Sequence, residues 1–228
     1  MDDSKSSYAE RNRATGLKRR IKTRAALVEA ATRVVLKRGL EVPVIDDFIS
    51  EAGISRGSFY NHFQTKEELF DAVVVHLRGA LGKFFETAKQ EIDNPAERLA
   101  FGIRFLIHSS VDYPKWSLLL QPMVGRLNQA EAWIRRGPKA DLKAAIAKGY
   151  FPSQNIDVGV DLVIGATSEA VRAVASFRRP KDYPEQIATQ VLCGLGMDRK
   201  EAMKVCYSPK PVLQLHELQT GEALLHKE

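Results

Sequence analysis

The sequence predicts an all-α protein with an N-terminal three-helix unit followed by a larger helical domain. Apolar residues recur at the three- to four-residue spacing of helices along most of the chain, and no alternating run typical of a strand is found. Ser, Thr, Asn or Asp precedes several of these segments, where it can cap a helix. A chain of 228 residues is long enough for a small domain joined to a larger one.

Composition and charge narrow the class of function. Apolar residues make up 44% and charged residues 27% of the chain, as in ordinary globular proteins, and the net charge of +6 is compatible with a polyanionic partner. Cys193 and Cys206 match neither a zinc pattern nor a disulfide framework, so we expect a reducing cytoplasm and no cofactor or metal. No apolar run reaches the roughly 18 residues of a spanning helix, which argues against a membrane partner.

Residues 1–22 are predicted to form a basic N-terminal arm. Between Arg11 and Arg24 there are seven basic residues and no acidic one. Such a run is either a solvated tail or a contact to nucleic acid, and the choice depends on whether the adjoining residues can bind nucleic acid.

Residues 23–66 have the pattern of a helix-turn-helix unit. Thr23 is expected to cap a first helix that ends near Arg38, and its apolar stripe consists of Leu27, Ala30, Ala31 and Val34. A second helix is expected from Ile45 to Ala52. Gly53 then supplies a tight turn with positive φ, and Ser55 caps a third helix over about 56–62.

The third helix has two chemically different faces. Phe59 and Phe63 are four residues apart and are expected to be buried together. The opposite face presents Arg56, Gly57, Tyr60 and Asn61. Arg can bond guanine, Asn can bond adenine and hydroxyls can bond phosphate, while a glycine permits close approach to a surface.

The segment AGISRGSFYNHFQTKEELF, residues 52–70, resembles the DNA-binding motif of the tetracycline-repressor (TetR) family, and the resemblance extends over about residues 23–75. It implies a sequence-specific transcriptional regulator whose partner is a double-stranded DNA operator. More specifically, it implies a repressor that a small-molecule effector releases from a palindromic operator. Matched by position, the DNA-binding residues are Arg56, Gly57, Ser58, Tyr60, Asn61, His62 and Lys66. Ser58, Tyr60 and Lys66 would bind phosphates, and His62 would either contact the DNA backbone or be a buried, satisfied histidine.

One segment departs from the family pattern. Pro43 and Val44 stand where the family usually has a threonine that caps the second helix and touches phosphate. Asp46 and Asp47 come next, where a basic or neutral residue would be easier beside DNA. Either they point away from the DNA, or Asp46 accepts a hydrogen bond from a cytosine amino group.

Residues 67–208 are predicted to form a helical effector-binding and dimerisation domain, and residues 209–228 a C-terminal tail. The helices of this region are expected at about 66–92, 95–112, 115–128, 129–148, 158–177, 185–195 and 199–206, with a kink or stop at Gly137-Pro138. The resemblance implies a homodimer through helices 158–177 and 185–195. The alternative is that helix 158–177 lies in the core of its own monomer.

An effector pocket is expected among the middle helices, for an unidentified small apolar or amphipathic molecule. Its candidate residues are Phe84, Phe105, His108, Tyr113, Trp116, Met123 and Trp133, with Phe85, Phe101 and Phe177 as further lining. The alternative is that most of these side chains simply form the core. A ligand that pushes on Phe84 or Phe85 would move helix 66–92 and so act on the DNA-binding unit.

Enzymatic function is not expected. The chain has no GxSxG, His-x-x-x-His, GxGxxG or P-loop pattern. The remaining alternative is a DNA-binding regulator or architectural protein without a small-molecule effector.

Overall fold

The computed structural model describes residues 3–38, 43–112 and 128–208, without the side chains at 3–12, 36, 89, 112 and 128–133. Over these ranges the structure is all-α and contains no strand, which confirms the predicted fold class. In chain order the helices are α1 (Asp3–Arg38), α2 (Ile45–Ala52), α3 (Arg56–Tyr60), α4 (Lys66–Gln90), α5 (Pro95–Asp112), α6 (Asn128–Ala147), α7 (Ile156–Ser176), α8 (Tyr183–Gly194) and α9 (Arg199–Cys206).

The chain divides into two compact units, and the division falls inside α4, between Ala80 and Leu81. In the first unit α1 packs on α2, and α2 packs on α3. The predicted apolar stripe of α1 is buried, as are three phenylalanine side chains of the helix-turn-helix. These residues are Leu27, Ala30, Ala31, Val34, Phe48, Phe59 and Phe63.

Helix α1 is longer than predicted. It begins at Asp3, and Thr23 lies in its interior, where the hydroxyl donates to the Arg19 carbonyl at 3.0 Å. The expectation that Thr23 caps the helix is therefore wrong. The segment before it contains no proline, a single glycine and many residues with good helix propensity, so nothing forces a helix start at Thr23.

The turns of the helix-turn-helix are explained by local chemistry. Gly53 has φ 63° and ψ 35°, in the left-handed region that glycine adopts without strain. The Ser55 hydroxyl accepts a hydrogen bond from the Ser58 N–H at 3.2 Å and so caps α3 as predicted. Helix α3 ends at Tyr60, earlier than expected, with Asn61 as its C-cap. Thr65 caps α4 by accepting the Glu68 N–H at 3.1 Å.

The second unit is built around α5, which packs against α6, α7, α8 and α9. Its core includes Ile103 and Ile107 of α5, Leu142 of α6, Val163 of α7 and Leu192 of α8. Three helix starts of this unit are capped by side-chain oxygens, which accept the first free N–H groups of α5, α7 and α9. The capping residues are Asn94, Asn155 and Asp198.

Pro138 lies inside α6 and does not end it. The predicted alternative of a stop at Gly137-Pro138 is thus wrong. The helix expected at 115–128 falls almost entirely outside the described residues.

Candidate nucleic-acid interface

Helix α3 has one buried and one exposed face, as its sequence predicts. Phe59 and Phe63 have 0% of their surface exposed. Arg56, Gly57 and Asn61 are exposed, and Tyr60 retains 45% of its accessible surface although its ring packs edge-on against Phe59 at a centroid distance of 5.3 Å. Phe59 in α3 and Phe63 just after it anchor this segment, while the polar side chains on its other side remain exposed.

Gly57 is not required by the packing of the protein. A Cβ atom added there meets nothing within 4 Å, and the backbone φ is not positive. Its lack of a side chain therefore matters only for something that approaches α3 from outside.

An open groove of about 520 Å³ lies between α1 and α3. Its lining residues are Gly16, Arg19, Arg20 and Thr23 of α1 with Ser58, Asn61 and His62 at the end of α3. Arg20 Nη2 donates to the Asn61 carbonyl at 3.5 Å, and the Arg24 guanidinium lies 4.6 Å from the centroid of the Phe63 ring. Part of the basic run is thereby held beside three of the side chains predicted to bind DNA.

The α1 side of this groove has a signal in the sequence that the prediction missed. Residues 16, 19, 20 and 23 have the helical spacing i, i+3, i+4, i+7, and they continue the register of the buried stripe that starts at Leu27. Extending the helix toward the N-terminus would have brought Arg19 and Arg20 onto the face that meets α3. Treating residues 1–22 as an arm hid that relation.

His62 is half-buried in the wall of the groove. Burial, followed by the charges of Arg20 and Arg24, holds the pKa of its imidazole below the usual value of 6.5. Its buried Nδ1 has no hydrogen-bond partner in the part of the chain that the structure describes. At neutral pH the ring is uncharged, so it can meet a phosphate only as a neutral donor.

The two aspartates of α2 have different roles. The Asp47 carboxylate accepts the Val44 N–H at 2.9 Å and pairs with Arg38, and the first of these bonds is the main reason that the pKa of Asp47 lies below its usual value. Asp47 thus supplies one half of a capping box, whereas Val44 at the N-cap has no side-chain acceptor for the free N–H groups of α2. Asp46 instead lies 3.2 Å from the Arg56 guanidinium. The alternatives stated from the sequence were that the two aspartates point away from DNA or that Asp46 bonds a cytosine. An ion pair between Asp46 and α3 was not among them.

Lys66, at the start of α4, is half-buried with its Nζ 5.0 Å from the centroid of the Phe70 ring. The Glu68 carboxylate accepts the Gln64 N–H at 2.7 Å, which orders the approach to this helix start. The site can therefore offer guanidinium and ammonium groups, hydroxyls and an amide side chain, which are the donors that phosphates and base edges accept.

The residues predicted to form an effector pocket are only partly described. The rings of Phe84, Phe85, Phe101 and Phe105 form one aromatic cluster, in which the centroids of Phe84 and Phe105 are 4.5 Å apart. A ligand among these rings would have to separate them. Tyr113, Trp116 and Met123 lie outside the described residues, and Trp133 lies in α6 with its side chain outside the description.

His108 contacts an acidic side chain, and Phe177 is exposed. His108 Nε2 lies 2.9 Å from Glu185 Oε1, and the same carboxylate accepts from Nε of buried Arg104 at 3.2 Å. Phe177 is 56% exposed, and the Arg179 guanidinium lies 5.3 Å from its ring centroid. The expectation that Phe177 lines a cavity is wrong, because α7 ends at Ser176 and its C-cap projects into solvent.

Helix α7 is buried on one side only. Val160, Val163 and Ala170 contribute to the core, whereas Val158 is 63% and Leu162 40% exposed. The exposed face also includes Gly165, where an added Cβ would meet nothing within 4 Å. This exposed face has apolar and small residues toward its start and the Glu169–Arg172 ion pair farther along, and among the described residues it is open to another helix.

Two other kinds of site are absent from the described ranges. No group of three or more His, Cys, Asp or Glu side chains there is arranged to hold a metal ion. No described helix has both the length and the apolar character needed to cross a membrane.

Family comparisons match both units. Residues 27–73 match the model described as bacterial regulatory proteins, tetR family, and residues 94–207 match the model of the tetracyclin repressor-like C-terminal domain. The first match contains the helix-turn-helix, and the second contains α5–α9.

Individual relatives agree with this assignment. The transcriptional repressor KstR2 of Mycobacterium tuberculosis is 29% identical over 170 residues, which cover 69% of this chain and 82% of KstR2. RolR in complex with resorcinol has the same fold, with a TM-score of 0.67 and 24% identity over 87% of this chain and 100% of RolR. AibR in complex with isovaleryl coenzyme A and operator DNA has a TM-score of 0.54 and 20% identity over 76% of this chain and 97% of AibR.

Proposed function

This chain belongs to the tetR family of bacterial regulatory proteins, and we propose that it is a sequence-specific transcriptional repressor that a small-molecule effector releases from its operator. The observation that carries the proposal is the exposed polar face of α3 beside a groove lined by Arg19 and Arg20. Such a surface offers base-reading and phosphate-binding groups side by side.

The proposed roles reflect the chemistry of each side chain. Arg56 and Asn61 contact base edges in the major groove, and Gly57 allows α3 to approach them. Ser58, Tyr60, His62 and Lys66 bind phosphates and fix the register on the duplex. Arg19 and Arg20 add two cationic groups to the phosphate set, on the α1 side of the groove.

A dimer is proposed because one five-residue helix such as α3 reaches few base pairs. Two copies joined through α7 and α8 would read paired half-sites, and the exposed apolar residues of α7 supply a surface for this contact. The operator is then a palindrome whose half-site centres are about 34–36 Å, one turn of the duplex, apart.

Effector release is proposed for the second unit. RolR and AibR are described with bound small molecules, and the aromatic cluster around Phe105 is the apolar feature of this unit on which a ligand would act. The protein would have two states, of which only one binds the operator. The ligand must have a higher affinity for the state that does not bind the operator. Operator DNA must then weaken ligand binding by the same factor.

The proposal is tested by footprinting the full-length protein on the DNA that flanks its own gene. We expect two protected half-sites, related by two-fold symmetry and centred about one helical turn apart. Uniform protection along the fragment at every protein concentration would overturn the proposal and favour an architectural role.

A further inference from the structure

An acidic side chain of α2 is joined to the first residue of α3. Asp46 Oδ1 lies 3.2 Å and Oδ2 3.4 Å from Arg56 Nη2. The pair links the two helices of the helix-turn-helix through the arginine assigned above to a base contact. A negative charge on this surface also faces the side from which a polyanion would approach.

The pair is not needed to hold the helices together. The start of α2 is held by Asp47, which accepts the Val44 N–H, and Arg38 of α1 pairs with Asp47. The side chains of Asp46 and Arg56 remain 69% and 63% exposed, and exposed ion pairs add little to folding stability. We therefore expect the Asp46–Arg56 pair to affect which DNA groups the Arg56 guanidinium can contact, more than it affects folding stability.

An arginine without a partner would bind any phosphate within reach, and phosphates are common to all DNA sequences. Asp46 competes with phosphate for the guanidinium and itself repels phosphate, which penalises binding to the wrong sequence. Because the contact uses Nη2, the remaining N–H groups of Arg56 stay available for O6 and N7 of a guanine.

We propose that Asp46 is a specificity-determining residue, which positions Arg56 for a guanine and keeps it from phosphates. The inference rests on the proposed function, since it requires sequence-specific binding. It makes Asp46 a positioning residue that acts through Arg56 and has no base contact of its own.

The test uses Asp46→Asn in the full-length protein, with binding measured on the footprinted site, on the same site with each base pair substituted, and on random duplex. The substitution preserves shape and removes charge. We expect tighter binding to random duplex and a specificity ratio lower by about tenfold, with the reduced preference concentrated at one base pair in each half-site. That base pair should be the one at which Arg56→Ala also reduces preference.

Glu51→Gln is the matched control. Glu51 is on the same helix and pairs with Arg33 of α1 at 2.8 Å, so its substitution removes the same charge without touching α3. We expect its base preferences to be those of the wild type. Adding Asp46→Asn to Arg56→Ala should produce no further change in base preference.

The possible failures are distinguishable. If Asp46→Asn lowers the melting temperature but keeps every base preference, Asp46 only stabilises α2 and the inference is overturned. If Asp46→Asn still alters base preference when Arg56 is alanine, Asp46 reads a base directly and the positioning role is wrong. If the wild type itself shows no preferred sequence, the proposed function fails before either variant is considered.

Discussion

Gly57 is the residue at which the requirements of the fold and of the proposed interface differ most clearly. Alanine is favoured over glycine in a helix by up to about 1 kcal/mol, and the added Cβ meets no atom of the protein. Gly57→Ala should therefore leave the melting temperature unchanged or raise it. It should weaken operator binding by about tenfold or more, since the methyl group would lie between α3 and the bases.

Gly79→Ala is the control for that experiment. Gly79 lies in α4, is exposed, and likewise has open space around the position of an added Cβ. Thermal unfolding and operator titration of both variants make the comparison. Equal operator affinity for Gly57→Ala and the wild type would show that α3 does not approach DNA on this face.

Single residues also show which features were predictable from sequence. Gly53 and Ser55 were placed correctly, because turns and caps depend on groups within about four positions of each other. The pairing of Asp46 with Arg56 was missed because it joins residues ten positions apart on separate helices. The link between His108 and Glu185 spans 77 positions, and no local pattern indicates it.

At the scale of elements, α1 differs most from its prediction and provides the second test. Arg19 and Arg20 line the groove, whereas Lys18 and Lys22 are exposed outside its lining. Arg19→Gln/Arg20→Gln should lower operator affinity and reduce the slope of log K against log salt by about 0.9 for each phosphate that the protein no longer neutralises.

Lys18→Gln/Lys22→Gln removes the same charge from the same helix and should change that slope much less. Fluorescence anisotropy across a salt series measures both. If the two double variants have the same slope, the groove has no special role and α1 attracts DNA only through its total charge.

The boundaries of the helices were largely predictable, but their partners were not. Helices α5 and α9 begin where their local signals predict, at Pro95 and Arg199, because the capping residues lie directly before the first turn. The extent of α1 was missed because Thr23 was interpreted as an N-cap and the residues before it as an arm. The exposure of Phe177 was missed because apolar character alone does not reveal which side of a helix end faces the core.

At the scale of the whole molecule, the proposed dimer gives the third test. Val158 is 63% exposed on α7, so Val158→Glu should fold normally while placing a charge in the proposed contact. Sedimentation should show a shift toward monomer. Operator affinity should fall because the two half-sites are no longer bound by one dimer.

Val75→Glu is the comparison, since Val75 is 58% exposed on α4 and lies outside α7 and α8. It should sediment as the wild type does. A Val158→Glu protein that keeps the association state and operator affinity of the wild type would exclude this face of α7 from the dimer contact.

The central claim is that the exposed face of α3 reads DNA sequence. Its most direct test is the affinity of the full-length protein for its footprinted operator and for random duplex of the same length, at one salt concentration. The account predicts that the operator binds at least about a thousandfold more tightly. Equal affinity for the two duplexes would contradict it, because phosphate contacts alone would then explain all of the binding.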